Sequence, residues 1–308
     1  MMIVGSVFLM SFQDALIKYI SSDMTLWQIY VLRSALALVL LCALSGLTGK
    51  TQRLQNAHLT QTAHPIRAAH LFRTALSSWI LTRSVLLVLM YICIYAAVPV
   101  LNLSVIGAGF YTGPLFIAVL SALLLGEPVG RRGWLAIFGG FAGVLIILRP
   151  GSDNFLWVTG LPVLAGLFYA LAAIITRSRC RTASPVGMAF SLNIALFATG
   201  SFASLFVMLW QPTPAEIATA PFLFASWARM GSMEWGIIGI LAVLIVLIGM
   251  GLAAAYQSAP PVIIATFDYT YLLFAACWSL VLFADPPDLG TLTGMALIAG
   301  AGLLVVYR

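Results

Sequence analysis

Long apolar runs, separated by short polar breaks, fill almost the whole chain. A helix needs about 20 apolar residues to cross a bilayer, and ten runs have about that length. They lie near residues 1–20, 25–47, 80–98, 101–125, 132–149, 157–177, 185–210, 234–256, 260–283 and 290–307. Backbone polar groups must be satisfied inside hydrocarbon, and these runs lack the alternation of membrane barrel strands. The pattern therefore predicts an all-α integral membrane bundle of ten transmembrane helices.

The chain contains an internal repeat, because the segment 95–128 recurs as 253–286, which is 158 positions later. The shared features include Tyr111-Thr112 and Tyr269-Thr270, and an acidic residue before proline, Glu127 and Asp285. Each half then holds five spans, and since five is odd, the second half enters the membrane from the opposite side. We therefore predict an inverted 5+5 repeat of two five-helix units, residues 1–150 and 151–308.

Composition and charge agree with a membrane chain and predict its orientation. The 308 residues are 62% hydrophobic and 8% charged, with a mean hydropathy of +1.06, which excludes an ordinary soluble domain. The net charge of +6 is spread thinly between the apolar runs, so it does not indicate nucleic-acid binding. With a cytoplasmic N-terminus, eleven of the fifteen Lys and Arg residues fall on the inner side, and Arg83 is one of them. By the positive-inside rule we expect both termini in the cytoplasm of a multi-pass protein of the bacterial inner membrane.

Four charged residues fall clearly inside the predicted spans: Asp14, Lys18, Arg33 and Asp268. A charge at the bilayer centre costs at least about 2.5 kcal/mol, so each needs a physical reason. At about 1.5 Å per residue, Asp14 lies about 20 Å and Arg33 about 18 Å from the inner surface. We predict that Asp14 and Arg33 pair and bind substrate, with Lys18 joining the pair or reaching the outer surface. Mutual structural neutralisation is the alternative.

Asp268 has no basic neighbour in the sequence, and Phe110 takes its place in the first copy of the repeat. A buried carboxyl without a partner favours its protonated form, which suits a proton-coupling group or a neutral side chain bonded to a backbone carbonyl. The aromatic and amide side chains able to line a pocket for an amphipathic solute are Tyr111, Tyr269, Trp278, Gln257, Tyr271, Tyr169, Phe12 and Trp27. The first four are predicted to bind substrate.

Signatures of soluble enzymes fail at individual residues. Residues 49–51 resemble the end of a Walker A loop, but Leu44 stands where the earlier glycine is required. The histidines are His58, His64 and His70. Their spacing scatters them around a helix, which disfavours a metal site, and no predicted span contains a histidine base. An aspartyl pair of Asp14 and Asp268 lacks protease motifs around it. We expect no catalytic residues, no metal and no cofactor.

Several motifs follow the pattern of a known family. They are residues 111–116 and 125–128 in the fourth span, 284–286 in the ninth, and the glycine-rich stretch 139–150 in the fifth. With them the whole chain resembles the drug/metabolite transporter superfamily, in particular its ten-helix members with two EamA-type domains. The opening stretch, Asp14 to Lys18 followed by Arg33, is similar to metabolite carriers of this group, including ones that look like S-adenosylmethionine carriers.

The resemblance implies a central cavity lined by spans one to four and six to nine, with spans five and ten as outer supports. It also implies alternating access of two inverted halves without ATP. A structural or gating role carries over to Glu127 at the inner mouth and to its counterpart Asp285, and we assign Lys18 to the same class.

We therefore expect a secondary transporter of a small organic metabolite, such as an amino acid, an S-adenosylmethionine-like compound or another amphipathic solute. A membrane-embedded enzyme is a weaker alternative, because no nucleophile and base pair can be assembled. A non-transporting membrane scaffold or sensor is the other alternative. The expected partners are a small-molecule substrate and the lipid bilayer, with no nucleic acid. A homodimer, the direction of transport and the coupling ion stay open.

Overall fold

The computed structural model describes residues 2–55, 77–101, 103–126, 130–148, 157–268, 270–284 and 288–306. Helices occupy most of these residues, and no strand occurs among them. In chain order the helices are α1 (Met2–Ile20), α2 (Leu26–Gln55), α3 (Ser78–Ala97), α4 (Leu103–Phe110), α5 (Gly113–Leu124), α6 (Arg131–Leu148), α7 (Gly160–Arg179), α8 (Pro185–Trp210), α9 (Pro214–Thr219), α10 (Pro221–Phe224), α11 (Ser232–Ser258), α12 (Pro261–Asp268), α13 (Thr270–Phe283) and α14 (Leu289–Val306). A 3₁₀ turn, Trp157–Thr159, leads into α7.

Within the described ranges, six helices are long and apolar enough to cross a membrane. They are α1, α2, α3, α8, α11 and the continuous stretch of the 3₁₀ turn with α7. Shorter apolar helices include α5, α13 and α14. The chain is therefore an all-α, multi-pass membrane bundle, as the apolar runs predict. The run 185–210 agrees with α8 at both ends.

The fourth predicted span consists of two helices instead of one. Helix α4 ends at Phe110, a two-residue turn follows, and α5 begins at Gly113. Pro114 lies in the first turn of α5 and has no N–H to donate to the carbonyl of Phe110. The structure thus differs from the continuous helix that the run 101–125 predicts, because proline interrupts the hydrogen-bond ladder at this point.

One end of the bundle is covered by the connection 211–231 between α8 and α11. The indole N–H of Trp27, at the start of α2, donates to the carbonyl of Leu223 at 2.8 Å. The next residue, Gln28, donates from Nε2 to the carbonyl of Ala228 at 2.9 Å and accepts from its N–H at 3.0 Å. These bonds fix the connection over the start of α2. We call this side of the bundle the loop end.

The opposite side of the bundle carries arginines where α7 finishes, and we call it the arginine end. Arg177 donates from Nη1 to the carbonyl of Gln257, close to the end of α11, at 3.0 Å. The guanidinium of Arg179 lies 4.8 Å from the ring centre of Trp79, at the start of α3. Arg181 follows in the turn towards α8 and is exposed. By the positive-inside rule, this is the end expected to face the cytoplasm.

Helix contacts separate an inner group of helices from a peripheral pair. Helix α1 packs against α11 and α13, α3 packs against α7 and α8, and α2 packs against α8. Helices α6 and α14 pack mainly against each other. Large apolar side chains on α6 are exposed, namely Trp134, Leu135, Phe138, Phe141 and Leu145. Apolar exposure of this kind is the surface that a bilayer covers, so α6 and α14 lie at the periphery of the bundle.

Glycines bring α7 into close contact with the broken helix α4–α5. A Cβ atom at Gly166 would lie 2.7 Å from the carbonyl oxygen of Phe110 and 2.9 Å from the backbone nitrogen of Gly113. A Cβ at Gly109 would lie 2.7 Å from Cβ of Pro162. Small residues permit this approach of two backbones. The turn between α4 and α5 is therefore held directly against α7.

Candidate functional site

Asp14 is buried in the centre of the bundle and is held by tyrosines from two other helices. Its Oδ1 accepts a hydrogen bond of 3.0 Å from the hydroxyl of Tyr95 on α3. Its Oδ2 accepts one of 2.7 Å from the hydroxyl of Tyr271 on α13. Gln13 donates from Nε2 to the oxygen of Tyr95 at 2.9 Å. Both oxygens of this carboxyl therefore have a donor, and charged hydrogen bonds of this kind are the strong ones.

Arg33 is fully buried, at 0% exposure, and none of its three guanidinium nitrogens has a hydrogen-bond partner. Its contacts are aromatic: Cζ lies 5.5 Å from the ring centre of Tyr30 and 5.7 Å from that of Tyr91. The ring of Tyr91 in turn stacks on Tyr95, the partner of Asp14, at 5.5 Å. Asp14 and Arg33 are thus neighbours whose charges interact, but the predicted direct hydrogen-bonded pair is not formed.

Asp268, at the end of α12, is the second buried carboxyl and is also held by two tyrosines. Its Oδ2 accepts from the hydroxyl of Tyr169 on α7 at 2.9 Å and from that of Tyr256 on α11 at 2.8 Å. Its Oδ1 is buried without a hydrogen-bond partner. The hydrogen-bond partners of Asp268 are thus two phenol donors, and not the backbone carbonyl of the second alternative. The free oxygen still has the capacity to accept a hydrogen bond or to carry a proton.

A row of aromatic rings connects the two carboxyl sites. The ring centres of Tyr256 and Tyr169 are 5.9 Å apart, and Phe110 lies 5.3 Å from Tyr169. Tyr111 follows at 5.3 Å from Phe110 and at 5.0 Å from Tyr271, which bonds Asp14. The turn between α4 and α5, which supplies Phe110 and Tyr111, therefore lies between Asp268 and Asp14.

A cavity of about 30 Å³ lies between α3, α7 and α11. Its polar lining comes from Arg83, Tyr91, Tyr169, Thr176 and Tyr256, and the rest is mostly aliphatic. About 10–15 Å³ holds one water molecule, so this cavity has room for about two. Pockets for organic ligands are usually about 300 Å³ or larger. This cavity is therefore too small to hold an organic metabolite.

Other residues predicted for the site take structural contacts. Lys18 donates to the carbonyl of Leu101 at 3.1 Å and lies 5.2 Å from the ring centre of Phe283. Gln257 lies at the arginine end, where its Nε2 donates to the carbonyls of Cys180 and Ala183 at 2.7 Å. Neither side chain contacts Asp14 or Arg33 through these bonds.

Trp278 of α13 packs against α1. Its indole N–H donates to Oγ of Ser11 at 3.2 Å, and its ring lies 4.9 Å from that of Phe12. This places it beside the helix that carries Asp14. The remaining predicted residues, Tyr269, Glu127 and Asp285, lie outside the residues that the structure describes.

Three further residues of the site, Tyr95, Tyr256 and Arg83, are not among those that the sequence pattern predicts. Tyrosines are common in membrane helices, and nothing in a single sequence tells which of their hydroxyls meets a carboxyl. Arg83 was counted with the basic residues of the inner edge, although it is only 5% exposed. Its place five residues inside α3 was the available signal, because a charge one turn or more inside a span needs a partner.

The first half of the chain carries a family signature. Residues 1–149 match the EamA-like transporter family. The match covers slightly less than half of the chain. The predicted resemblance to the drug/metabolite transporter superfamily is confirmed.

Individual relatives carry transporter names. The chain is 28% identical to a riboflavin transporter of Brucella anthropi over 198 residues, which cover 64% of this chain and 65% of that protein. It is 23% identical to an S-adenosylmethionine uptake transporter of Rickettsia felis, over 63% of this chain and 60% of the relative. These matches span less than two thirds of either relative. A pseudopaline exporter of Pseudomonas aeruginosa matches at 23% identity over 96% of this chain and 90% of its own length.

A solved crystal structure shares the fold. It covers 98% of this chain and 95% of its own chain with a TM-score of 0.68, at 15% sequence identity. At this identity the likeness concerns the fold alone.

Proposed function

We propose that the protein is a secondary transporter of a small organic metabolite, and that it works by alternating access of two inverted halves in the bacterial inner membrane. The relatives support a metabolite cargo, because they are named as a riboflavin transporter, an S-adenosylmethionine uptake transporter and a pseudopaline exporter. They include both uptake and export, so their names leave the direction open.

The observation that carries the proposal is the state of Arg33. Leaving a charged group buried without hydrogen-bond partners costs several kcal/mol, and a structural role would supply those partners. Arg33 has none, while the nearby Asp14 is held by two tyrosines. The donors of Arg33 are therefore available for a charged or zwitterionic solute. The ring faces of Tyr30 and Tyr91 lie beside the guanidinium of Arg33.

Helix contacts support the inverted 5+5 arrangement. In such a repeat, α1, α2 and α3 correspond to α7, α8 and α11. The contact of α3 with α7 then has its counterpart in α11 with α1, and that of α5 with α7 in α13 with α1. The pairs α2–α8 and α6–α14 correspond to themselves. We take residues 1–150 and 151–308 as the two moving halves.

The small cavity supports a cycle in which helices separate. It has room for about two waters, so a metabolite would enter this cavity only when the helices around it separate. The connection 211–231 closes the loop end through Trp27 and Gln28. We propose that the two ends open in turn, with the cytoplasm on the arginine side.

Asp268 is the group we assign to proton coupling. It is 1% exposed, and its Oδ1 has no partner, so a proton there would occupy an existing free position. Its two tyrosine partners come from α7 and α11, which pack on α3 and α1. A change in the charge of Asp268 would thus change how α7 and α11 pack on α3 and α1.

Uptake of a panel of labelled metabolites tests the proposal. The purified protein is reconstituted into vesicles, and uptake is measured with and without a pH gradient against protein-free vesicles. We expect saturable uptake of at least one amino acid, nucleoside derivative or vitamin. A scaffold or sensor would bind without accumulation, and an enzyme would convert the label into a different compound. Either of these outcomes would reject the transport proposal.

A further inference from the structure

Arg83 forms a second buried cationic centre, which the sequence had assigned to the inner surface. It lies five residues after the start of α3 and is 5% exposed. Its Nε donates to Oγ1 of Thr176 on α7 at 2.7 Å, while its Nη1 is buried without a hydrogen-bond partner. Arg179 and Arg181, at the same end of the bundle, are exposed. Arg83 is therefore drawn into the bundle, where an unsatisfied guanidinium is costly.

The surroundings of Arg83 have the composition of a binding site. It lines the cavity between α3, α7 and α11, opposite the tyrosines Tyr169 and Tyr256 that hold Asp268. No carboxylate is among the residues lining this cavity. The remaining lining is mostly aliphatic, so a charge that entered would be largely shielded from water. A guanidinium with free N–H groups in such a place matches planar oxyanions best.

Tyr91 connects this centre to Arg33. It lines the same cavity, and its ring centre lies 5.7 Å from Cζ of Arg33. Arg83 and Tyr91 are two turns apart on α3, which is about 12 Å along the helix axis. Two buried guanidiniums with free donors are thus linked through one tyrosine, and Arg83 is the one nearer the arginine end.

We propose that Arg83, with Thr176 as its anchor, binds an oxyanion group of the transported solute, a carboxylate or a phosphate, on the arginine side of Tyr91. This inference rests on the proposed transport function and narrows its substrate class. Arg33 takes the oxyanion when the loop end is open, and Arg83 takes it when the arginine end is open. Solutes without an acidic group would not use this second centre.

Thermal unfolding of the purified full-length protein in detergent tests the site. Sodium acetate, sodium phosphate and sodium chloride are compared at equal ionic strength. We expect acetate or phosphate to raise the unfolding midpoint saturably above chloride, and the more effective of the two identifies the oxyanion. Arg83→Gln should raise the half-saturating concentration at least about tenfold, which corresponds to about 1.4 kcal/mol. Arg131→Gln, an exposed arginine at the start of α6, should leave it unchanged.

The proposal is overturned if neither salt stabilises the unsubstituted protein more than chloride does, or if Arg83→Gln responds as that protein does. If Arg83→Gln does not fold, Thr176→Val removes the anchor and should weaken the response, and an unchanged response again overturns it. Transport is measured separately, as uptake into vesicles. Oxyanion stabilisation without any vesicle uptake would reject the transport function and leave the site. Normal uptake by Arg83→Gln would reject the site and leave the function.

Discussion

The hydroxyl of Tyr271 donates a 2.7 Å hydrogen bond to Oδ2 of Asp14 across 257 positions of sequence. This contact joins α13, in the second half of the chain, to α1 in the first. The ring of Tyr271 also packs against the position of Gly107, where an added Cβ would lie 3.2 Å from its Cε1. The bond therefore depends on the packing of α13 on both α1 and α4, and it is a connection between the two proposed moving halves.

Tyr271→Phe should destabilise the folded bundle without changing its packing. The substitution removes one donor from a buried carboxylate, which costs about 1–2 kcal/mol. We expect a lower unfolding midpoint in detergent and slower solute uptake. Tyr19→Phe on α1, where the tyrosine is 47% exposed, is the control and should behave as the unsubstituted protein does. Equal midpoints for both variants would show that the bond contributes nothing.

Asp268→Asn should separate solute exchange from proton-driven accumulation. One pH unit supports about tenfold accumulation for each coupled proton. The amide keeps the shape of the side chain but takes no part in proton transfer, so exchange across the membrane should persist while accumulation under a pH gradient is lost. Asp23→Asn, in the exposed turn after α1, should keep both activities. Full gradient-driven accumulation by Asp268→Asn would remove Asp268 from the coupling mechanism.

Gly166→Ala should disrupt the contact between α7 and the turn that follows α4. The new Cβ would lie 2.7 Å from a backbone oxygen and 2.9 Å from a backbone nitrogen, neither of which can rotate away. Overpacking of this kind costs about 1–3 kcal/mol, so the unfolding midpoint should fall by several degrees. Gly239→Ala in α11 is the matched control, because nothing lies within 4 Å of its Cβ position. A variant at 166 as stable as that control would contradict the close packing.

The sequence predicted an apolar helical membrane bundle and the burial of Asp14, Arg33 and Asp268, since both follow from the cost of polar groups in lipid. It could not predict how the charges are satisfied. Counting residues along α1 and α2 places Asp14 and Arg33 at a similar depth in the membrane. Whether their side chains touch depends on how each helix is rotated about its own axis, which the count does not give. The hydroxyls of Tyr95 and Tyr271 donate to the carboxyl of Asp14, and the guanidinium of Arg33 faces aromatic rings instead. Pro114 is a sequence signal for the break in the helix before Gly113. The burial of Arg83 depends on its packing against α7, which the sequence does not give.

Arg33→Met should raise the stability of the protein. The guanidinium makes no hydrogen bond, so an apolar side chain of similar length removes a desolvation cost of several kcal/mol and loses only the longer-range attraction to Asp14. If Arg33 had a structural role, its replacement by Met would lower the stability. The unfolding midpoint in detergent, compared with that of Arg229→Met in the exposed loop, gives the sign directly.

Uptake by Arg33→Met vesicles tests the central claim most directly. The substrate is the first metabolite of the panel that the unsubstituted protein accumulates, and Arg229→Met serves as the control. Loss of a buried charged contact to the solute costs at least about 2 kcal/mol, so uptake at low solute concentration should fall at least about thirtyfold. Uptake equal to that of the control, in a variant that folds, would contradict the assignment of Arg33 as the group that binds the solute.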